Sequence, residues 1–383
     1  MNARLPLIDA LKAVASQLIV LHHLAFYGPM ADTVRPYASG LVDALADHAR
    51  IAVQVFLVVA GFLAARGLAP DGAARAAAPG RLVGRRWARL AGPYVAAIAI
   101  ALAAAAIGRA LGDHEDVPAA PTAIQLLANL AMLQDVLGIE ALSAGLWYVA
   151  IDLQLYAITV AIAWACVRLG APRAMPVAVA ALCAVSLLGF NRDAGWDAWG
   201  VYFFGSYGLG LLAAWAGAAS APAATARAAA VAIAVLGAVA LAVDFRTRIA
   251  VALATALLLA WAIPRGVGAR RLASPALAFL ARISYSVFLV HYPVCVVVQA
   301  AATRWFADDP IASSAGLAVA WAASTAAGAL LYRWVEAPVS AALSGGRTDP
   351  RAEVPPFAAS GGASSRGAGA DDEDAAPLGP PLR

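Results

Sequence analysis

Long apolar segments with few or no charged residues recur along most of the chain. Each is about 17–25 residues long, which is the length that a helix needs to cross about 30 Å of hydrocarbon. Their apolar residues are continuous rather than alternating, and in lipid only helices and closed barrels satisfy every backbone polar group. The pattern therefore predicts an all-α fold, a polytopic transmembrane helical bundle of about ten spans. The predicted spans are residues 6–27, 50–68, 88–108, 146–168, 174–190, 199–217, 227–243, 248–264, 283–302 and 314–335.

The composition also indicates a membrane protein. Of 383 residues, 62% are hydrophobic and 13% are charged, whereas soluble domains have about 45–50% apolar and about 25% charged residues. We therefore expect the lipid bilayer to be a partner and nucleic acid not to be one. The first span resembles a secretory signal in position, but it carries Asp9 and Lys12 and lacks a cleavage site of small residues, so we expect it to be retained.

The cysteines indicate no cross-link and no metal. Cys166, Cys183 and Cys295 all lie in predicted spans and have no paired spacing. We therefore predict neither a disulfide framework nor a metal site.

Charged residues are sorted between alternate connections, one set being basic and the other mixed or acidic. Because lysine and arginine accumulate on the cytoplasmic side, the basic set is predicted to face the cytoplasm. An even number of crossings then places both termini in the cytoplasm. The basic set contains Arg66, Arg75, Arg81, Arg85, Arg86, Arg168, Arg173, Arg227, Arg265, Arg270 and Arg271, and the other set contains Asp113, Glu115, Asp116, Asp193, Asp197, Asp308 and Asp309.

Two segments depart from the pattern of spans. Residues 122–138 are moderately apolar and predict a short interfacial helix or a re-entrant segment, and an additional crossing there would invert the topology that follows. Residues 341–383 are rich in Gly, Ala, Ser, Pro and Asp and cannot bury enough apolar surface to fold. We therefore divide the chain into a transmembrane domain, residues 1–340, and a disordered cytoplasmic tail, residues 341–383.

Polar residues form a stripe along the first span. An ionisable residue at mid-membrane costs about 2.5–3.5 kcal/mol on insertion scales, so it needs a partner or a function. Asp9 and Lys12 are close enough along the helix to neutralise each other. Lys12, the only lysine in the sequence, either reaches to the membrane interface or has a function. His23 returns to nearly the same face about 16 Å further along the axis. It is either a buried structural histidine or, as we favour, an acceptor for the proton of a hydroxyl.

Further polar residues occur in four later spans. Forked guanidinium donors at the start of the third span suit phosphate oxygens, although the positive-inside bias explains them equally well without a ligand. In the fourth span, the spacing of Tyr148, Asp152 and Tyr156 places Asp152 on a polar strip inside the bundle, and Trp147 is typical of an interface anchor. The arginines of the third span are Arg81, Arg85, Arg86 and Arg89. In the ninth span, Ser284, Phe288 and His291 share one helix face beside Pro293. In the last span, Glu336 is predicted to form an ion pair with Arg333.

These segments, in this order, resemble the membrane-bound acyltransferase 3 family, whose members O-acylate bacterial surface polysaccharides, lipopolysaccharides, secreted glycans and some small metabolites. The resemblance extends over nearly the whole predicted transmembrane domain, and it depends on the joint order and spacing of the segments. The matching segments are LIDALKAVASQLIVLHHL, VQVFLVVAGFL, RRWARLAGPY, LWYVAIDLQLY, SYSVFLVHYPV and YRWVEAP.

The resemblance implies roles for individual residues. The family pattern of a basic residue, ten others and a histidine falls on Lys12 and His23, where His23 takes the position of the catalytic histidine. The paired arginines that contact the phosphates of coenzyme A fall on Arg86 and Arg89. The full set of expected site residues is His23, Lys12, Asp152 and His291 for catalysis, Arg86, Arg89 and Arg85 for the coenzyme, and Tyr148, Trp147 and Ser284 for substrate.

Three positions differ from the usual family pattern. Lys12 replaces an arginine, Ala60 stands where serine is frequent, and Asp152 is one methylene shorter than the usual glutamate. The positive charge at position 12 survives, but the forked geometry of a guanidinium does not. Whether the coenzyme is contacted at this position therefore stays open.

The resemblance implies an integral O-acyltransferase of the bacterial inner membrane. The expected reaction moves an acyl group, acetyl by expectation, from acyl-CoA (acetyl-CoA) as co-substrate to a hydroxyl of a cell-envelope or secreted glycan, with no permanently bound cofactor. One alternative is a secondary transporter or exporter of a small polar metabolite or glycan precursor, which predicts repeated halves with broken helices. Another is a non-catalytic sensor or scaffold that works through the tail. The acyl group, the acceptor, the choice between direct and two-step transfer, and the oligomeric state stay open.

Overall fold

A computed structural model describes residues 5–75, 78–112, 117–306 and 308–343, and the regular elements in these ranges are all helical. The predicted all-α fold is confirmed. The helices are α1 (Pro6–Phe26), α2 (Pro29–His48), α3 (Val53–Leu68), α4 (Pro79–Leu111), α5 (Ala123–Leu130), α6 (Leu146–Arg168), α7 (Met175–Leu188), α8 (Gly200–Ala216), α9 (Ala223–Val243), α10 (Thr247–Ala262), α11 (Pro275–Phe306), α12 (Pro310–Leu331) and α13 (Ala337–Leu343).

The predicted spans all overlap apolar helices. Within the described ranges, eight helical stretches are long and apolar enough to cross a membrane. Two shorter apolar helices, α8 and α10, coincide with the other two predicted spans. The chain is therefore a multi-pass membrane protein built as a helical bundle. The eight stretches are Pro6–Phe26, Pro29–Leu68, Pro79–Leu111, Leu146–Arg168, Pro172–Arg192, Ala223–Val243, Pro275–Phe306 and Pro310–Leu343.

The segment 122–138 contains one short helix, α5, which begins where the Thr122 hydroxyl accepts a hydrogen bond from the Gln125 N–H at 3.1 Å. Eight residues rise only about 12 Å, whereas the hydrocarbon core is about 30 Å thick, so α5 is too short to cross. The predicted tail is described only as far as Leu343, the end of α13. Residues 344–383 and the acidic residues at 113–116 lie outside the described residues.

Helix α2 occupies a stretch that the hydropathy pattern left as a connection. It is interrupted at Ala38, whose backbone angles (φ −144°, ψ 39°) are not helical, two residues after Pro36. Proline within a helix removes a backbone hydrogen bond and favours such a kink. The buried side chains of α2 are small or apolar, while its other face carries charges. This amphipathic pattern suits a helix that lies against α1 rather than one surrounded by lipid.

Helices α3 and α8 approach each other through glycine. Gly61 on α3 faces the Tyr207 carbonyl oxygen of α8, and Gly210 on α8 faces the Val58 carbonyl oxygen of α3. A Cβ atom at either glycine would overlap the facing backbone. Small residues at helix contacts let two backbones come close together in membrane proteins.

Replacing Gly61 with alanine is therefore expected to destabilise the protein by about 1–3 kcal/mol, because neither backbone can move away without disturbing its own helix. The apparent unfolding temperature of the purified protein in detergent measures the effect. Gly84→Ala is the control, since a Cβ there meets nothing within 4 Å and alanine is favoured over glycine in a helix by about 0.5–1 kcal/mol. Equal unfolding temperatures for the two variants would contradict the close contact.

Candidate active site

Two cavities enter the bundle from opposite ends. The proximal cavity, about 500 Å³, is lined from the beginning of α1 and α4 and from the end of α3. The distal cavity, about 600 Å³, is lined from the end of α1 and from the beginning of α3, α6 and α10. The helices therefore run alternately between a proximal end, where α1 begins, and a distal end, where α1 finishes.

An ion pair between α4 and α6 forms one wall of the proximal cavity. The Nη2 and Nε atoms of Arg86 donate to the same carboxylate oxygen of Asp152 at 2.5 and 3.1 Å. The Asp152 side chain is 6% exposed and that of Arg86 is 32% exposed. The Arg86 guanidinium also lies 5.4 Å from the centre of the Tyr156 ring. Much of the charge of Arg86 is thus neutralised by a group that the sequence pattern assigned to catalysis.

The neighbouring arginines differ in their position. Arg89 lines the proximal cavity, and no carboxylate in the described ranges lies within 4.0 Å of it. Arg85 is exposed and is not among the described residues that line either cavity. Of the three arginines expected at the coenzyme, Arg89 is therefore the one that lines the proximal cavity without a carboxylate within 4.0 Å in the described ranges, and Glu336 interacts with it electrostatically from a longer distance.

Glu336 reaches the proximal cavity from the far end of the chain. It ends a five-residue π-helical segment, Tyr332–Glu336, and it accepts a hydrogen bond from the Ser286 hydroxyl at 2.6 Å. The predicted ion pair with Arg333 is wrong, because no such pair lies within 4.0 Å among the described residues. Glu336 instead interacts electrostatically with Lys12, which lines the same cavity. π-helical insertions are frequent at functional sites because they turn a side chain to a new direction.

Two histidines meet beside the distal cavity. His23 on α1 lines the cavity, and its Nδ1 lies 3.2 Å from Nε2 of the buried His291 on α11. Nδ1 of His291 is 2.8 Å from the Phe288 carbonyl oxygen, and Nδ1 of His23 is 2.9 Å from that of Ile19. A carbonyl accepts only, so we assign a hydrogen to both Nδ1 atoms, and the single Nδ1 hydrogen of His23 is then shared between the Ile19 carbonyl oxygen and Nε2 of His291. This assignment leaves Nε2 of His23 as the nitrogen with a free lone pair.

Phe288 separates the two cavities. Of the described residues, it is the one that lines both. Its ring lies 5.2 Å from that of Tyr148 and 6.2 Å from that of Phe56, measured between ring centres. This aromatic cluster stands between the cationic groups of the proximal cavity and the histidines of the distal cavity.

The predicted site residues are thus divided between two places. Lys12, Arg86, Arg89, Tyr148, Asp152 and Ser284 line the proximal cavity, whereas His23 and Trp147 line the distal cavity and His291 supports His23. The Ser284 hydroxyl donates to the Ala281 carbonyl oxygen at 2.9 Å, so it is already engaged within its own helix. The predicted residues come together only if a substrate reaches past Phe288.

The distal cavity contains charged residues that sequence reasoning missed, namely Asp47, Arg50, Arg246 and Arg248. The sequence did contain an indication of these residues, since arginines in the connections predicted to face away from the cytoplasm are contrary to the positive-inside bias. Burial lowers the pKa of the Arg246 guanidinium from its ordinary value, and the carboxylate of Asp244 acts in the opposite direction. Arg246 also donates to the Asn191 side chain at 2.6 Å and to the Leu187 carbonyl oxygen at 2.9 Å. These bonds hold Arg246, just before α10, against the end of α7 and the segment that follows it.

The model of a known protein family matches most of the chain. Residues 5–333 match the model of the acyltransferase 3 family, described as an acyltransferase domain. The match includes the described lining residues of both cavities except Glu336, because it ends within the π-helical segment. Comparisons with curated proteins and with solved structures gave no match.

Proposed function

The chain belongs to the acyltransferase 3 family, and we propose that it transfers an acyl group, acetyl in the simplest case, from acyl-CoA to a hydroxyl of a cell-envelope or secreted glycan. The observation that carries this proposal is the histidine pair at the distal cavity. A neutral histidine whose Nδ1 hydrogen is fixed and whose Nε2 is free is arranged to accept a proton. His22 also lines the distal cavity and has its Nδ1 3.3 Å from the Leu45 carbonyl oxygen, so the contact with His291 is what distinguishes His23.

In direct transfer, the acceptor hydroxyl gives its proton to Nε2 of His23 while its oxygen attacks the thioester carbonyl. The carbon–sulfur bond then breaks, and the proton on His23 passes to the sulfur of coenzyme A. His291 keeps the ring of His23 oriented and does not touch substrate. A two-step route, in which His23 itself receives the acyl group, uses the same nitrogen and stays open.

The donor is proposed to enter the proximal cavity. Arg89 offers an available guanidinium for a phosphate, and Lys12 adds a second cation further along the cavity. The pantetheine arm would then lead the thioester past Phe288 to His23. Attack on the thioester produces an oxyanion, which Lys12, Tyr148 or a backbone amide could stabilise. Tyr148 is the best placed of these because it contacts the Phe288 ring.

Arg89→Gln is expected to raise the KM for acetyl-CoA about tenfold or more and to leave kcat nearly unchanged, because a bond to a charged group contributes about 1.5–3 kcal/mol. Steady-state release of coenzyme A by the purified protein measures both constants. Arg66→Gln is the matched control, since Arg66 is an exposed arginine near the proximal end of α3 and outside the described lining. An unchanged KM in Arg89→Gln would remove Arg89 from the coenzyme site.

The function itself is tested in the cell. Surface and secreted glycans of a gene deletion strain, and of a strain carrying His23→Ala, are analysed by mass spectrometry for an ester-linked acyl group. We expect the ester to disappear in both strains and to return with the wild-type gene. Full acylation in the deletion strain would overturn the proposal for glycans.

A transporter is the second candidate, because two cavities that face opposite ends and are separated by one aromatic cluster also suit alternating access. It predicts that the deletion abolishes uptake or export of a solute while glycan esters persist. The same strains therefore separate the two functions.

We place the protein in the bacterial inner membrane with both termini in the cytoplasm, so that the proximal cavity opens to the cytoplasmic pool of acyl-CoA. The charge pattern supports this orientation, since most of the arginines between spans lie at the proximal end. Cysteine labelling from either side of the membrane tests it.

A further inference from the structure

The distal cavity has more positive than negative side chains. Arg50, Arg246 and Arg248 line it, while Asp47 is its one acidic side chain among the described lining residues. Asp244, outside the lining, lies 3.4 Å from Arg246 and partly neutralises it. Positive charge therefore remains in excess after both carboxylates are counted.

Arg248 is held in place by neutral groups. Its guanidinium donates to the Tyr202 hydroxyl at 2.6 Å and to the Asn191 carbonyl oxygen at 2.7 Å. It also lies 5.1 Å from the centre of the Tyr202 ring. No carboxylate in the described ranges lies within 4.0 Å of it, and its Nε is buried without a hydrogen-bond partner. The charge of Arg248 is thus fixed in position and left without a counter-ion.

Two further features add positive potential at the same place. Arg50 is exposed at the cavity and has no carboxylate within 4.0 Å in the described ranges. Helix α10 begins at Thr247, which lines the cavity, so the positive end of its dipole lies beside the same space. Guanidinium groups combined with a helix N-terminus form a strong site for carboxylate or phosphate.

We infer that the distal cavity binds an anionic group of the acceptor, a sugar carboxylate or a sugar phosphate, and so selects acidic sugars for acylation. The inference rests on the proposed function and names its class of acceptor. Arg50 and Arg248 hold the anion, while a hydroxyl of the same sugar reaches Nε2 of His23. Trp147 and Phe203, whose ring centres are 5.6 Å apart, provide the apolar surface for the sugar ring.

The test compares three acceptors with acetyl-CoA as donor: methyl β-D-glucuronide, glucose 1-phosphate and methyl β-D-glucoside. We expect kcat/KM for one or both anionic sugars to exceed that for the neutral glucoside by about tenfold or more, as a charged hydrogen bond predicts. The better anionic sugar identifies whether carboxylate or phosphate is preferred. Arg50→Gln and Arg248→Gln are expected to remove this preference by lowering kcat/KM for the anionic sugars about tenfold, toward the value for the neutral glucoside.

Arg304→Gln is the matched control, because Arg304 is an exposed arginine at the distal end of α11 and outside the described lining of the cavity. Its anionic preference should equal that of wild type. Arg50 is exposed, so Arg50→Gln provides the test even if Arg248→Gln fails to fold. Equal use of anionic and neutral sugars by the wild type would overturn the inference.

Binding is measured separately, so that a failure of the acyl-transfer proposal can be recognised. The same three sugars are added to the protein in detergent, and the rise in unfolding temperature is recorded. A rise with anionic sugars that is lost in Arg50→Gln, together with no transfer, would reject acyl transfer and keep the anion site. No rise with either anionic sugar, and no transfer to either, would reject the anion site.

Discussion

Replacing His23 with glutamine is expected to lower the rate of acyl transfer by about 10²- to 10⁴-fold, the usual contribution of a general base. Glutamine keeps a polar side chain near His291 but has no nitrogen that accepts a proton at neutral pH. Because the donor is proposed to bind at the other cavity, the KM for acetyl-CoA should change little. Transfer of radiolabelled acetyl from acetyl-CoA to a glycan acceptor measures the effect.

The control for this variant is His48→Gln. His48 is an exposed histidine at the end of α2 and does not line either cavity among the described residues, so its rate should equal that of wild type. Activity of His23→Gln within threefold of wild type, with both proteins folded, would remove the histidine from the chemistry.

Breaking the ion pair between Arg86 and Asp152 is expected to lower the stability of the protein strongly. Removing one partner of a buried pair leaves an uncompensated charge and costs about 3–5 kcal/mol. Arg86→Met leaves the Asp152 carboxylate, which is 6% exposed, without a counter-ion, so we expect its cost to lie near the upper value. Asp152→Leu should cost less, since the guanidinium that it leaves unpaired is 32% exposed and lies over the Tyr156 ring. The unfolding temperature in detergent measures both variants.

The double variant Arg86→Met with Asp152→Leu separates a structural role from a coenzyme role. Replacing both charges by apolar groups of similar size is often close to neutral for stability. We therefore expect the double variant to recover most of the lost stability. If Arg86 also binds a phosphate of the coenzyme, the KM of the double variant for acetyl-CoA will stay high even though its stability has returned. Additive losses of stability would instead show that the two side chains do not depend on each other.

The spans could be predicted because apolar length depends only on local sequence. Helix α2 could not, since its charges lower its hydropathy and its buried residues Met30, Val42 and Ala46 are explained only by packing against α1 and α12. The lesson is that hydropathy finds helices surrounded by lipid better than helices covered by protein. The kink at Ala38 divides the apolar pattern further.

Within the site, residues on one helix were easier to predict than contacts between helices. The shared face of Tyr148 and Asp152 follows from helical spacing, and both line the proximal cavity. The partner of Asp152 does not follow, because Arg86 is 66 residues away in sequence and helix packing brings it close. Glu336 was misassigned for a related reason. Its π-helical segment changes the direction that regular α-helical spacing predicts.

The ring of Phe288 has a consequence for the bilayer as well as for the substrates. A membrane that maintains a proton gradient tolerates no continuous column of water, and spaces of about 500 and 600 Å³ are large enough to hold many water molecules. The aromatic side chain of Phe288, which lies between the two cavities, keeps their water molecules apart. With the donor in the proximal cavity, as proposed, an acyl group can pass Phe288 to the distal cavity while ions do not cross.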